Sequence, residues 1–296
     1  DLWLAMTYNQ TGEFEKSSMV LDKLNKDIRT GIAPAKTDRL FQMIYADYYI
    51  LQNDYQPSIK YLKRAIELNS RKKDKNRLRF ILAQVHQEIG DMREAARLYQ
   101  LLIRKNPPFE MSVNAKINLA KTYDTKRSNR NMIVKTLEKL LKDHKNSEYR
   151  DQIYYALADM YAKDNQTEKV IEYLALSVAT SVSNDYQQTL SSLKLADIYF
   201  EQPDYIFAQA YYDTAMQVMP NNFPNYKSIK ERTKVRKERM TNLRNIRIKN
   251  RIQNMNKMTE DERNKIMDEK IRKIVEEEKR LAEEQREAQR TVSMLE

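Results

Sequence analysis

The sequence has no cysteine, and only three glycines and two histidines among 296 residues. Without cysteine there is no structural disulfide and no thiolate nucleophile, and a structural zinc site loses its usual ligands. The absence says nothing of compartment, because an oxidising space permits disulfides without demanding them. Gly12 and Gly90 fall at corners between apolar stripes, which leaves Gly31. No glycine-rich loop remains to cradle a phosphate or a dinucleotide, so nucleotide enzymes of those classes are excluded. With seven prolines, the composition suits helices and little that is rich in turns. His86 takes an aromatic position in an apolar stripe, where a packed ring is expected; His144 lies in "KDHKNS" at a helix end, where an imidazolium suits the dipole. Neither has a partner at ligand spacing, so no metal site is expected. The carboxylates form no pattern that singles out acid–base chemistry. The expectation is a protein without catalysis, cofactor or small-molecule substrate.

What the sequence does have is repetition. In "LAQVHQEIGDMREAARLYQLLIRKNP", Leu82, Ala83 and His86 make one helical stripe, Gly90 and Asp91 interrupt it, and Ala95, Tyr99 and Leu102 make a second stripe that stops at Pro107. A glycine past a helix end fits the left-handed conformation, and a proline cannot continue a helix. This is a helical hairpin. Its opening pattern recurs as "LAMTY" (Leu4, Ala5, Tyr8), "YADYY" (Tyr45, Ala46, Tyr49), "LAKTY" (Leu119, Ala120, Tyr123), "LADMY" (Leu157, Ala158, Tyr161) and "LADIY" (Leu195, Ala196, Tyr199). With "LAQVH" in place, the steps are 41, 37, 37, 38 and 38 residues, a period that signals stacked repeats.

These units resemble the tetratricopeptide repeat family, as do the corners "TGEF", "QNDY" and "QPDY" and the second-helix positions Ala208, Tyr212 and Ala215 before Pro220. The resemblance implies an all-α fold: a right-handed solenoid of about six helical hairpins over residues 1–225, followed by C-terminal basic and charged helices. The steps exceed the family's usual period of about 34 residues, so helices or links are longer. The fourth unit's second helix, "NMIVKTLEKLLKDH", fits only with a one-residue shift.

Stacking leaves an inner surface built from the first helices, the expected groove for a partner protein. Helical geometry turns the residue two after each signature position toward it: Asp47, Gln84, Lys121, Asp159 and Asp197. Residues two before the signature add Met43, Phe80, Ile117, Tyr155 and Leu193, which serve either the groove or packing between repeats. The polar row is not the Lys and Asn row with which some members of the family hold a partner's C-terminal carboxylate. Three Asp in five would repel one.

After "MPNNFPNY" the chain changes character, and residues 227–296 contain no glycine, proline or aromatic. Of the overall net charge of +11, residues 226–257 carry +10, with twelve Lys or Arg against two Glu. The basic side chains expected to meet a partner are Arg232, Lys234, Arg236, Lys237 and Arg239, then Arg244, Arg247, Lys249 and Arg251. Met240, Leu243, Ile246, Ile248, Ile252 and Met255 give residues 226–258 the look of an amphipathic basic helix. It has three readings: a nucleic-acid arm, which lacks aromatics to stack bases; a membrane-surface helix, which lacks Trp or Phe at its edge; or a helix that packs on the solenoid or on an acidic protein.

Residues 259–296 read as a charged, extended helix. It opens with Thr259 and Glu262 in capping-box spacing and continues with Glu269 and Lys273, and Glu276 and Arg280, four apart. Met267, Ile274 and Leu281 recur every seven residues, but polar residues fill much of the frame between them and on to Val292, which does not support a long coiled coil.

Over the whole chain, "SSLKLADIYFEQPDYIFAQAYYDTAMQVMPNNFPNY" followed by "MTEDERNKIMDEKIRKIVEEEKR" resembles the PorW/SprE family, tetratricopeptide lipoproteins of the type IX secretion and gliding machinery of Bacteroidota. The resemblance implies a protein on the periplasmic face of the outer membrane, held by a lipid anchor, that links the outer-membrane translocon to periplasmic ring subunits and the motor. The family's lipid-bearing cysteine is absent and Asp1 falls inside a repeat, so the expectation is a fragment of a longer protein. A cytoplasmic adaptor associated with RNA or the ribosome, using the basic segment 227–257, is the alternative.

Overall fold

A computed structural model describes residues 1–34, 36–124 and 130–293, with the side chains of Glu277 and residues 281–293 left aside. Fourteen α-helices and one short 3-10 helix make up the secondary structure of the described residues. Two compact units divide after Tyr226.

The first unit is six helical hairpins in sequence. Helices α1 (Leu2–Thr11) and α2 (Phe14–Arg29) form the first, α3 (Lys36–Leu51) and α4 (Tyr55–Leu68) the second, and α5 (Lys72–Glu88) and α6 (Met92–Arg104) the third. Helices α7 (Phe109–Lys121) and α8 (Arg130–Lys142), α9 (Arg150–Lys163) and α10 (Thr167–Thr180), and α11 (Asp185–Glu201) and α12 (Tyr205–Val218) complete the set. The 3-10 turn His144–Tyr149 joins the fourth hairpin to the fifth, so His144 stands, exposed, just past the end of α8.

Small residues decide how closely the helices approach. The signature alanines Ala5, Ala46, Ala83, Ala120, Ala158 and Ala196 are all buried at 1% exposure or less. Twelve residues after the alanine stands another small or apolar residue, Ser17, Ser58, Ala95, Val170 or Ala208, also buried. In the fourth hairpin the matching Ile133 comes thirteen residues after Ala120, which places the one-residue shift between α7 and α8. Around these contacts large side chains close the core: Leu21, Leu62, Tyr99, Leu137, Leu174 and Tyr212 are buried, four residues after each small position. Apolar surface is removed from water both inside each hairpin and where one repeat meets the next, so stability is shared between neighbours.

The corners explain how so few glycines suffice. Gly12 and Gly90 have φ of +76° and +82°, and the same corner in the second and fifth hairpins is made by Asn53 and Asn165 at +59° and +56°. Asparagine tolerates this left-handed region better than most residues. The first and third hairpins use glycine, and the second and fifth reach the same bend with asparagine. Tyrosine stacks brace three hairpins at one offset: Tyr49 on Tyr61, Tyr161 on Tyr173, and Tyr199 on Tyr211, with centroids 5.7, 5.3 and 5.7 Å apart. His86, at the same position of the third hairpin, is a buried ring whose Nδ1 lies 3.2 Å from Asp91 Oδ2. The packed ring expected there is what the structure shows.

The second unit holds α13 (Tyr226–Lys257) and α14 (Glu260–Ser293). The start of α14 is a capping box: Thr259 N donates to Glu262 Oε2 at 2.9 Å, and Glu262 N donates to Thr259 Oγ1 at 3.4 Å. Glu269 and Lys273 form an ion pair at 3.0 Å. Met267, Ile271, Ile274 and Val275 share one side of α14 at i, i+4, i+7 and i+8 spacing, and all are exposed. The sequence reading took only Met267 and Ile274 of these; Leu281 and Val292 lie outside the described side chains. Among the described residues, no helix is long and apolar enough to cross a membrane.

Candidate protein-binding groove

The first helices of the first three hairpins enclose a cavity of about 340 Å³. Helix α1 contributes Trp3 and Met6, α3 contributes Met43, Asp47 and Ile50, and α5 contributes Arg77 and Ile81. These helices converge because Ala5, Ala46 and Ala83 let their second helices pack tightly behind them, leaving the other side open. The lining is mostly apolar with charges at few points, which suits apolar side chains held by a small number of polar contacts.

The five polar residues expected on this face have different surroundings. Asp47 lines the cavity, and Asn9 Nδ2 donates to its Oδ2 at 3.5 Å. Burial raises the Asp47 pKa above the usual carboxylate value, and the Asn9 hydrogen bond opposes this. Asn9 is itself fixed, accepting from Ser17 Oγ at 2.6 Å and donating to the Ile44 carbonyl at 3.1 Å, so one buried amide ties α1, α2 and α3 together. Gln84 is exposed and stands outside the cavity lining. Asp159 is ion-paired with Lys194 of the next hairpin, and Asp197 accepts a hydrogen bond from the Tyr212 hydroxyl. Lys121 is half-buried, and its burial lowers its pKa, with Asp159 and Glu88 acting in the opposite sense.

The apolar row divides as well. Ile117 and Leu193 are buried, and Phe80 and Tyr155 pack against the cores of their neighbourhoods. Met43 is the member of the row that lines the cavity. Sequence reasoning missed Trp3 and Ile81, although both stand one residue before a signature position, as Ile44 does. It also missed Met6, the first hairpin's equivalent of Asp47.

On α13, Arg232, Lys234, Arg239, Arg244, Arg247, Lys249 and Arg251 are exposed, and Arg236 and Lys237 are half-buried. The single apolar stripe expected there is not what the helix presents. Ile246 and Ile248 point about 200° apart on a helix of 3.6 residues per turn, and Val235, Ile246, Ile248 and Ile252 are each 46–63% exposed. Apolar side chains on opposite sides give no one face to lay into a membrane interface. Among the described residues no cluster of His, Asp or Glu could hold a metal ion.

Comparison with known proteins identifies the repeats. The family described as the SusR N-terminal TPR domain matches residues 109–217, and tetratricopeptide repeat families match residues 41–72 and 78–110. No curated protein matches the chain. Among solved structures, the apo form of the quorum sensor NprR from B. thuringiensis is similar with a TM-score of 0.57 at 14% identity, over 82% of this chain and 69% of that one. NprR in complex with its cognate peptide NprX is similar with a TM-score of 0.52 at 14% identity, over 82% and 72%. The C-terminal part of a TPR repeat-containing protein from Cytophaga hutchinsonii gives 0.49 at 13% identity, over 84% and 91%. The hairpins of this chain are tetratricopeptide repeats, and its first unit is a tetratricopeptide-repeat solenoid.

Proposed function

We propose that the chain is a non-catalytic scaffold that holds a segment of a partner protein along the face of its first helices. The observation that carries this reading is the apolar cavity built jointly by α1, α3 and α5, with Met6, Met43 and Ile81 turned into it. A cavity shared by three repeats fits a segment that runs across several hairpins better than a compact metabolite held by one element. NprR, whose fold is similar, is known with a cognate peptide bound. The chain's place in the cell follows from the sequence resemblance to the PorW/SprE family: a component of type IX secretion and gliding machinery at the periplasmic face of the outer membrane. There the solenoid would link the translocon to ring subunits, with α13 and α14 extending the contact set.

The test is purification of the natural protein from its own cell envelope in mild detergent, followed by cross-linking mass spectrometry. Cross-links from the α1, α3 and α5 face to a translocon or ring subunit are expected. Cross-links confined to ribosomal or RNA-processing proteins would reject the secretion role and give α13 the leading part.

A further inference from the structure

On the footing that the first-helix face binds a protein segment, the charges in the cavity of α1, α3 and α5 select the side chain which that segment brings. Three charged residues line the cavity: Asp47 on α3, and Asp74 and Arg77 near the start of α5. Asp74 and Arg77 stand three apart on one helix, a spacing at which opposite charges are neighbours and offset each other. That leaves Asp47 as the uncompensated charge of the lining, on the middle helix of the three. Apart from Gln10, the rest of the lining is apolar or aromatic.

The other two Asp of its row are engaged inside the protein: Asp159 holds Lys194 in an ion pair, and Asp197 accepts from the Tyr212 hydroxyl. Asp47 has the Asn9 amide alone, at 3.5 Å, and the same Nδ2 makes its shorter bond, 3.1 Å, to the Ile44 carbonyl. Among the described residues no Lys, Arg or His pairs with Asp47, and its Oδ1 has no donor although it is not closed off from open space. A carboxylate only accepts, so this oxygen is placed to take a donor from outside the chain. Trp3 points the same way: it lines the cavity, yet 70% of its surface is exposed, and Trp is among the residues on which binding energy concentrates once a partner covers them. Lys and Arg match both features, because each carries an apolar stem below a charged head. The stem meets Met6, Met43, Ile50 and Ile81, and the head makes a charge-assisted hydrogen bond to Asp47. An N-terminal ammonium has no such stem, and an acidic side chain would be repelled.

We infer that the cavity receives a Lys or Arg side chain from an internal segment of a partner protein, its stem against the apolar lining and its charged head on Asp47. The test is phage display of random segments, with neither end free, on the full chain. Selected sequences are expected to be enriched in Lys or Arg beside apolar residues. Their synthetic peptides, acetylated and amidated at the ends, are expected to bind Asp47→Asn about tenfold more weakly, as loss of one charge-assisted bond implies. Replacing the peptide's basic residue by norleucine is expected to cost a similar factor on the parent chain and little more on Asp47→Asn, a coupling that general damage to the fold would not produce. Sequences without basic enrichment, affinity unchanged by Asp47→Asn, an equal cost of norleucine on both chains, or binding only by peptides with a free amino terminus would overturn this inference and leave the groove itself standing. Failure to select any segment, or selected segments insensitive to both Trp3→Ala and Met43→Gln, would overturn the groove and this inference together.

Discussion

Leu174 offers a severe test of the repeat architecture. It lies in the middle of α10 with 0% of its surface exposed, inside the cluster that joins the fourth, fifth and sixth hairpins through Leu137, Leu157 and Leu195. Leu174→Ala removes about three carbon groups, worth about 0.8 kcal/mol each in transfer from water. The cavity left behind adds to this, and buried Leu→Ala changes span about 2.7 to 5 kcal/mol. A loss of roughly 3 kcal/mol corresponds to a fall in Tm of about 6 to 12 °C for a unit of this size. Where the loss appears matters as much as its size. Each hairpin touches only its neighbours, so native-state hydrogen exchange should show α9 to α12 losing protection first while α1 to α4 keep theirs. A destabilisation below about 1 kcal/mol, or protection lost evenly along the chain, would refute the reasoning.

Gly90→Ala should lower stability by about 1 kcal/mol or slightly more in urea unfolding, purely through the backbone: φ is +82° and an added Cβ meets nothing within 4 Å. Asp91→Ala should cost about 1 kcal/mol by the same measurement, since Asp91 Oδ1 accepts the Glu94 backbone N–H at 3.1 Å to cap α6. Asp47 titrates with a raised folded pKa, so the folded state holds its proton more tightly and its contribution to stability falls as pH rises through the carboxylate range. Asp47→Asn should therefore melt higher than the parent at pH near 7 and lose that advantage toward pH near 3, in thermal melts at the two values.

The repeats were legible in the sequence because the constraint that sets them is local and periodic. A buried alanine is required wherever two helices of a hairpin touch, and Ala5 to Ala196 recur for that reason. The irregular fourth unit was legible too, because Ile133, Leu137 and Leu140 kept their spacing to one another and only the link had lengthened. The groove was harder to read, since its shape comes from three helices distant in sequence. Met43 and Asp47 were placed by geometry on one helix, but the part played by Trp3 and Ile81 needs the relative tilt of α1, α3 and α5. The row of Asp residues misled for a related reason: their partners Asn9, Lys194 and Tyr212 come from other helices. On α13 the apolar residues were counted correctly, and the error lay in their angles, which two isoleucines at i and i+2 cannot reconcile on one face.

The most direct test of the central claim, that the first-helix face holds a protein segment, is site-specific photocrosslinking in the cells that make the natural protein. A photoreactive residue at position 43, inside the cavity, is compared with one at position 19, on the exposed side of α2. The account predicts that position 43 captures one defined segment of one partner, mapped by mass spectrometry, and that position 19 does not. Capture of the same partner from position 19 with none from position 43 would contradict it.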